Sequence, residues 1–209
     1  SFDGLYPIIS NIKDLSIDAE VGTFILIEPR YAFVFEFVNC QNIRISNLTL
    51  GHTESGYCVG GVLSFKDASN IEIYDSVLFG CGTIGLDLHN VDGFKFDDST
   101  IKECTYSIMH IRDSKNIFFS NSVFKDTEQF DLIEIENSTI IEISNGVISN
   151  NSTSDFMPHL FKIVGDCSDV RVIDTDIKYN EISKLVNDKS AVEFIGCNFN
   201  GNEFDCDPT

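Results

Sequence analysis

Seven segments of this chain fall on one pattern of alternating apolar residues closed by a turn. They begin at Ile43 (IRISNLTL), Ile71 (IEIYDSVL), Phe94 (FKFDDSTI), Ile117 (IFFSNSVF), Ile141 (IEISNGVI), Val170 (VRVIDTDI) and Val192 (VEFIGCNF), with steps of 28, 23, 23, 24, 29 and 22 residues. A period near 23 residues with two longer steps is the mark of a solenoid, in which each repeat packs only against its neighbours. A degenerate copy around Leu15-Ser16-Ile17 precedes the seven.

Within each repeat the period is two. The first and third positions are Ile, Val or Phe throughout, and the second carries Arg44, Glu72, Lys95, Glu142, Arg171 and Glu193. Such alternation describes a strand with one buried and one wet face. The fifth position holds Asn47, Asp75, Asp98, Asn121, Asn145, Asp174 and Gly196, residue types that tolerate the left-handed backbone of a tight corner. The eighth position is always apolar, from Leu50 to Phe199, so a second strand follows the corner. A third reads VLSFKD (62–67), GLDLHN (85–90), IMHIRD (108–113), LIEIEN (132–137) and LFKIV (160–164). Three short strands and three corners per repeat predict an all-β, single-stranded parallel β-helix. It would have about seven or eight coils of 22–24 residues and span 1–209 as one domain.

Leucine-rich repeats have a similar period, but their Leu positions are Ile, Val or Phe here, and the second strand leaves no room for a helical convex side. A left-handed hexapeptide helix needs an 18-residue coil that is absent. The form NI-x-I-x-N-S-x-F/I followed by GI-x-L-x-N resembles the right-handed β-helix repeats of the pectin-lyase-like superfamily, over roughly residues 11–200. The resemblance implies a right-handed solenoid. It implies no single activity, because this architecture carries lyases, hydrolases, epimerases, tailspikes and plain binding proteins.

Composition narrows the partners. The formal charge is −19, which repels phosphate backbones and anionic lipids, so nucleic acid is excluded, while Ca²⁺ or basic partners would be attracted. No apolar run reaches 18 residues, so membrane insertion is not expected. The chain opens Ser1-Phe2-Asp3-Gly4 without an initiator Met, which reads as a trimmed start and leaves open a longer native chain. The seven Cys are odd in number and include no C-x-x-C. Cys81 and Cys104 should stack on adjacent coils in a ladder of small residues continued by Thr127, with a disulfide or metal pair as the alternative. The ends of a β-helix are open edges, so end-to-end or lateral self-association is a further expectation.

The third strand carries the chemistry. Stacked coils put equivalent residues about 4.8 Å apart, so one outward row should read Ser64, Asp87, His110, Glu134, Lys162. A parallel row should read Lys66, His89, Arg112, Glu136. Both long steps in the repeat arise from insertions just before this strand, at 51–60 and 150–159. With His52 and Tyr57 in the first, they would wall a groove over a polar floor. Carbohydrate-active proteins of the resembled superfamily use this same strand face. Their polygalacturonase motifs occur here only as scattered fragments (Asp174-Thr175-Asp176, Asp97-Asp98, Gly51-His52), in the wrong order and without an RIK. Pectate-lyase motifs are not recognisable.

Two readings follow. One is a non-catalytic, extracellular or cell-surface module that recognises glycan or protein through this face. The other is a polysaccharide hydrolase or lyase. In the hydrolase, Asp87 and Glu134 would be the paired carboxyls of an inverting mechanism and His110 would tune them. In the lyase, Arg112 or His110 would be the base and Lys66 or Lys162 would hold the substrate carboxylate. No resident cofactor is expected; Ca²⁺ is the one ion the acidic surface would favour. A binder should expose aromatics such as Tyr57, Tyr106 or Phe156 beside the floor.

Overall fold

The computed structural model describes residues 8–28, 31–54, 59–80 and 82–204. Tyr57, Cys58, Cys81 and Cys206 lie outside them. The described residues are all-β and wind a right-handed parallel solenoid of about eight turns. The three strands of each coil pair in parallel with those one repeat away. Leu15, Ile43, Ile71, Phe94, Ile117, Ile141 and Val170 are register partners along the first-strand sheet. Ile25, Leu50, Leu78, Ile101, Phe124, Ile148, Ile177 and Phe199 run along the second. Phe37, Phe65, Leu88, Ile111, Ile135 and Ile163 run along the third. These rows are the core. The Phe37 and Phe65 rings stack at 4.8 Å, and the aromatic column continues through Phe94 and Phe119.

Each corner opens on a left-handed residue. After the first strand these are Asn47, Asp75, Asp98, Asn121, Asn145, Asp174 and Gly196. After the third they are Asn39, Asp67, Asn90, Asp113, Asn137 and Gly165. Backbone groups freed at the corners are met by ladders of small polar side chains. The Ser76 N–H donates to Ser99 Oγ (3.0 Å) and the Ser99 N–H to Ser122 Oγ (3.3 Å). In the ladder after the second strand Cys104 and Thr127 are buried, and the row goes on as Asn151, Asn180 and Asn202. Asn151 donates to Asn180 Oδ1 (3.0 Å), and Asn180 to Asn202 Oδ1 (2.9 Å). Cys40, Cys104, Cys167 and Cys197 are free thiols. The Cys81–Cys104 stack expected above falls partly outside the described residues.

The structure adds strands where the pattern was too weak to read. Phe35–Val38 completes the first coil, Ile8–Ser10 pairs beneath it, and Lys184–Val186 supplies a late third strand. The second long step is a loop leading into His159–Val164, as expected. The first begins later than the sequence suggests. Gly51 and His52 end the strand Gln41–His52, in register with Leu26 and Ile27.

Candidate functional site

Alternation fixes the third-strand face. Met109 and Ile111 point inward and are fully buried, which obliges His110 and Arg112 to point out. The same logic on neighbouring coils aligns Glu36, Ser64, Asp87, His110, Glu134 and Lys162 in one row. Val38, Lys66, His89, Arg112, Glu136 and Val164 form the parallel row.

The floor is a network of ion pairs. Arg112 Nη2 donates to Asp87 Oδ1 at 2.8 Å. Lys162 Nζ lies 3.4 Å from Glu134 Oε2 and 3.2 Å from Asp131 Oδ2. Asp131 Oδ1 also accepts from the backbone N–H of His159 and contacts its Nδ1, both at 2.9 Å. The Asp131 side chain is 5% exposed and that of His159 16%. Neither Asp131 nor His159 stands out in the sequence as a site residue, since Asp131 lies just before its strand and His159 opens its own, both ahead of the outward row. The available signal was their shared place one residue before an apolar pair, Asp131 before Leu132-Ile133 and His159 before Leu160-Phe161. His89 Nε2 is 3.5 Å from Asp113 Oδ2, a corner residue.

Burial lowers the His110 pKa, against the opposing charges of Glu134 and Asp87, so the ring favours its neutral form. It makes no hydrogen bond to a described residue. Burial also works against the Lys162 ammonium, but its hydrogen bond to Asp131 and the charge of Glu134 prevail, and its pKa is raised. Asp87 and Glu134 sit two rungs apart, about 9–10 Å at the backbone, and each spends one oxygen on a cation. Among the described residues no group of three or more His, Cys, Asp or Glu is arranged to hold a metal ion.

Lys66 is exposed at one end of the face, and Glu136 lies beside Arg112 in register. His52 is a correction to the expected groove wall. It is 3% exposed and its Nε2 is 3.0 Å from the Ala32 carbonyl, so its ring is enclosed by the fold and out of reach of a ligand. Tyr57 lies outside the described residues. The aromatic signal resides in the segments that enter the third strands of three consecutive coils. Tyr106 and Phe130 stack face to face at 4.2 Å with their planes 10° apart, and Phe156 in the second insertion is 96% exposed.

A family model described as "Right handed beta helix region" matches residues 61–206. No curated protein matches the chain in sequence. Two solved structures of PfbA, a surface adhesin of Streptococcus pneumoniae, superpose with TM-scores of 0.51 and 0.52 at 11% and 8% identity. Both alignments cover 94% of this chain, and they cover 68% and 62% of the adhesin chains. The endo-xylogalacturonan hydrolase of Aspergillus tubingensis is looser still, with a TM-score of 0.41 at 10% identity over 94% of this chain and 76% of that one. Likeness at these identities is likeness of fold, and it does not choose between binding and catalysis.

Proposed function

The chain belongs to the right-handed β-helix family, and on that premise we propose that it is a non-catalytic module that binds glycan along its third-strand face. One observation carries the reading: the stacked Tyr106–Phe130 pair and the exposed Phe156 border a floor on which Arg112 is already paired with Asp87, and Lys162 with Glu134 and Asp131. Aromatic faces take up the apolar faces of sugar rings, and paired polar side chains on rigid strands offer fixed donors and acceptors to hydroxyls. A general-acid mechanism needs a carboxyl with a proton to give. Asp87 and Glu134 are instead committed to Arg112 and Lys162. The reading includes an extracellular or surface setting and no resident cofactor; Ca²⁺ would enter only as a bridge to an acidic polymer.

The test is retention on a panel of neutral, acidic and amino polysaccharides, run beside assays for reducing ends and unsaturated products. Binding without turnover is expected, with Tyr106→Ala and Phe130→Ala each weakening it about tenfold, or ~1.4 kcal/mol. Turnover that disappears in Asp87→Asn or Glu134→Gln would overturn the proposal in favour of a hydrolase or lyase. Retention of no glycan would overturn it outright.

A further inference from the structure

The inward-facing partners of the third strand are uniformly apolar, but its outward row is not uniform. Along Glu36, Ser64, Asp87, His110, Glu134 and Lys162 a carboxylate stands at every second rung. Rungs about 4.8 Å apart make the interval between carboxylates about 9–10 Å. The intervening positions carry a hydroxyl, an imidazole that burial holds toward neutrality, and an ammonium already shared by Asp131 and Glu134.

The carboxylates keep bonding capacity in hand. Asp87 gives Oδ1 to Arg112, and Glu134 gives Oε2 to Lys162. Asp87 Oδ2 and Glu134 Oε1 remain as acceptors on the same side chains, and an ionised carboxylate has about four acceptor positions. The two cations nearest Asp87 and Glu134, Arg112 and Lys162, are both engaged by acids, which leaves a uronate polymer only Lys66 at one end of the face without breaking a pair. Such a polymer would also approach a chain with a net charge of −19.

Resting on the glycan-binding reading, we propose that the ligand is an extended β-1,4-linked amino-sugar polymer with free amino groups, lying along the solenoid axis. In a two-fold chain of this kind alternate sugars turn over, so the amino groups on one edge recur once per disaccharide. That advance is close to the two-rung interval of Glu36, Asp87 and Glu134. Each ammonium would then donate a charge-assisted hydrogen bond to one carboxylate of the row, while the sugar faces meet Tyr106 and Phe130 at its border.

The experiment is titration calorimetry of the whole chain with hexamers of glucosamine, N-acetylglucosamine and galacturonic acid, at mildly acidic pH and two salt concentrations. Polylysine serves as a polycation without the spacing. The glucosamine hexamer is expected to bind at least tenfold more tightly than the other two sugars and more tightly than polylysine per charge. Asp87→Asn and Glu134→Gln should each weaken it severalfold, whereas Glu142→Gln, which removes a like charge from the first-strand face, should leave it unchanged. Equal or better binding of the acetylated or acidic hexamer would overturn the inference and leave the glycan reading standing. Equal binding of polylysine, or equal losses in Glu142→Gln, would reduce the effect to general charge and overturn it too. Binding of none of the three hexamers by a chain that still retains another glycan would sink the amino-sugar assignment alone. If no polysaccharide is retained at all, the glycan-binding reading itself fails.

Discussion

The first and third strands of each coil have the same backbone, the same apolar interior and the same outward alternation, yet their outward charges live differently. On the first-strand face Lys95 and Glu72 sit 3.6 Å apart with side chains 59% and 37% exposed. On the third-strand face Asp87 is 17% and Asp131 5% exposed, and each is held by a cation. The strands do not cause the difference. The first strand is entered through a tight corner, the third through the longer segments that carry Tyr106, Phe130 and the second insertion. Asp131 and His159, where those segments meet the strand, bond each other and Lys162, so part of the row belongs to a half-buried network in which each contact is worth more.

The deepest acid tests that contrast hardest. Asp131→Ala would strand the His159 N–H and leave Lys162 with Glu134 alone. Breaking a buried charged network by removing one member is costly, and a loss of about 3 kcal/mol in urea unfolding is expected. Asp131→Asn keeps an acceptor for His159 without the charge and should lose roughly half as much. If Asp131→Ala unfolds at the parental urea midpoint, the third-strand network is no tighter than the first-strand pairs and the contrast collapses.

The rows of this face were legible in the sequence because a strict two-residue alternation and a regular coil length turn alignment directly into register. Asp87 beside His110 beside Glu134 follows from counting. Asp131 and His159 were not legible, because they sit where the lead-in segment meets the strand, and that segment has no period to count by. His52 was misplaced for a related reason: the sequence does not show that a strand runs one residue past its usual end, and Gly51-His52 reads as loop. The first coil's Phe35–Val38 was hidden by an irregular lead-in. A register shift between Asp18 and Thr23 adds further irregularity to that coil.

Corner chemistry was legible as a residue type and missed in one instance. Just before the first strands of six coils and the degenerate first one, up to Val170 but not at Val192, a second left-handed position is occupied by Asp14, Asn42, Asn70, Gly93, Asn116 and Asp169, but by Ile140 in the sixth coil at φ 58°. A β-branched residue pays about 1–2 kcal/mol there. Its neighbours gain a bond in return: Asn116 donates to Asp92 Oδ1 (2.8 Å) and Asn70 to Asn42 Oδ1 (3.0 Å). Ile140→Asn is expected to raise stability by ~1 kcal/mol. A gain here with a loss at Asp131 would place spare stability on the first-strand side and committed stability on the third. An unchanged or lower unfolding midpoint would mean that the Ile140 side chain contributes packing that outweighs the strain.

Acid should separate the faces as well. The first-strand row has no histidine, while His110 lies in the third-strand row with its folded pKa lowered from 6.5 by burial. In that pH range the unfolded chain takes up a proton more readily than the folded one. The stability contributed by neutral His110 is therefore fully present above 6.5 and is lost as pH falls toward the lowered folded value. Buried His52, lowered in the same way, adds to the slope from within the core. His110→Gln should flatten part of the decline in urea midpoint below 6.5, and His110→Gln with His52→Gln should flatten more. Identical slopes in parent and variants would show that neither ring is held neutral.

The smallest effect belongs to the exposed face and sets the floor of the comparison. Lys95 and Glu72 are register partners on adjacent coils, so their separation is imposed by the solenoid. Even so, two exposed side chains gain little in water: what the pair wins in attraction it gives up in side-chain freedom and in screening by salt. A double-mutant cycle of Glu72→Gln and Lys95→Gln should give a coupling of at most about 0.5 kcal/mol that fades as salt is added. The matching cycle of Asp87→Asn and Arg112→Gln, on a pair at 2.8 Å with one partner largely covered, should exceed it and resist salt. If the two couplings are equal, the segments before the third strand do not alter the dielectric surroundings of its charges. The floor would then be an ordinary solvated surface without the preorganisation that glycan binding needs.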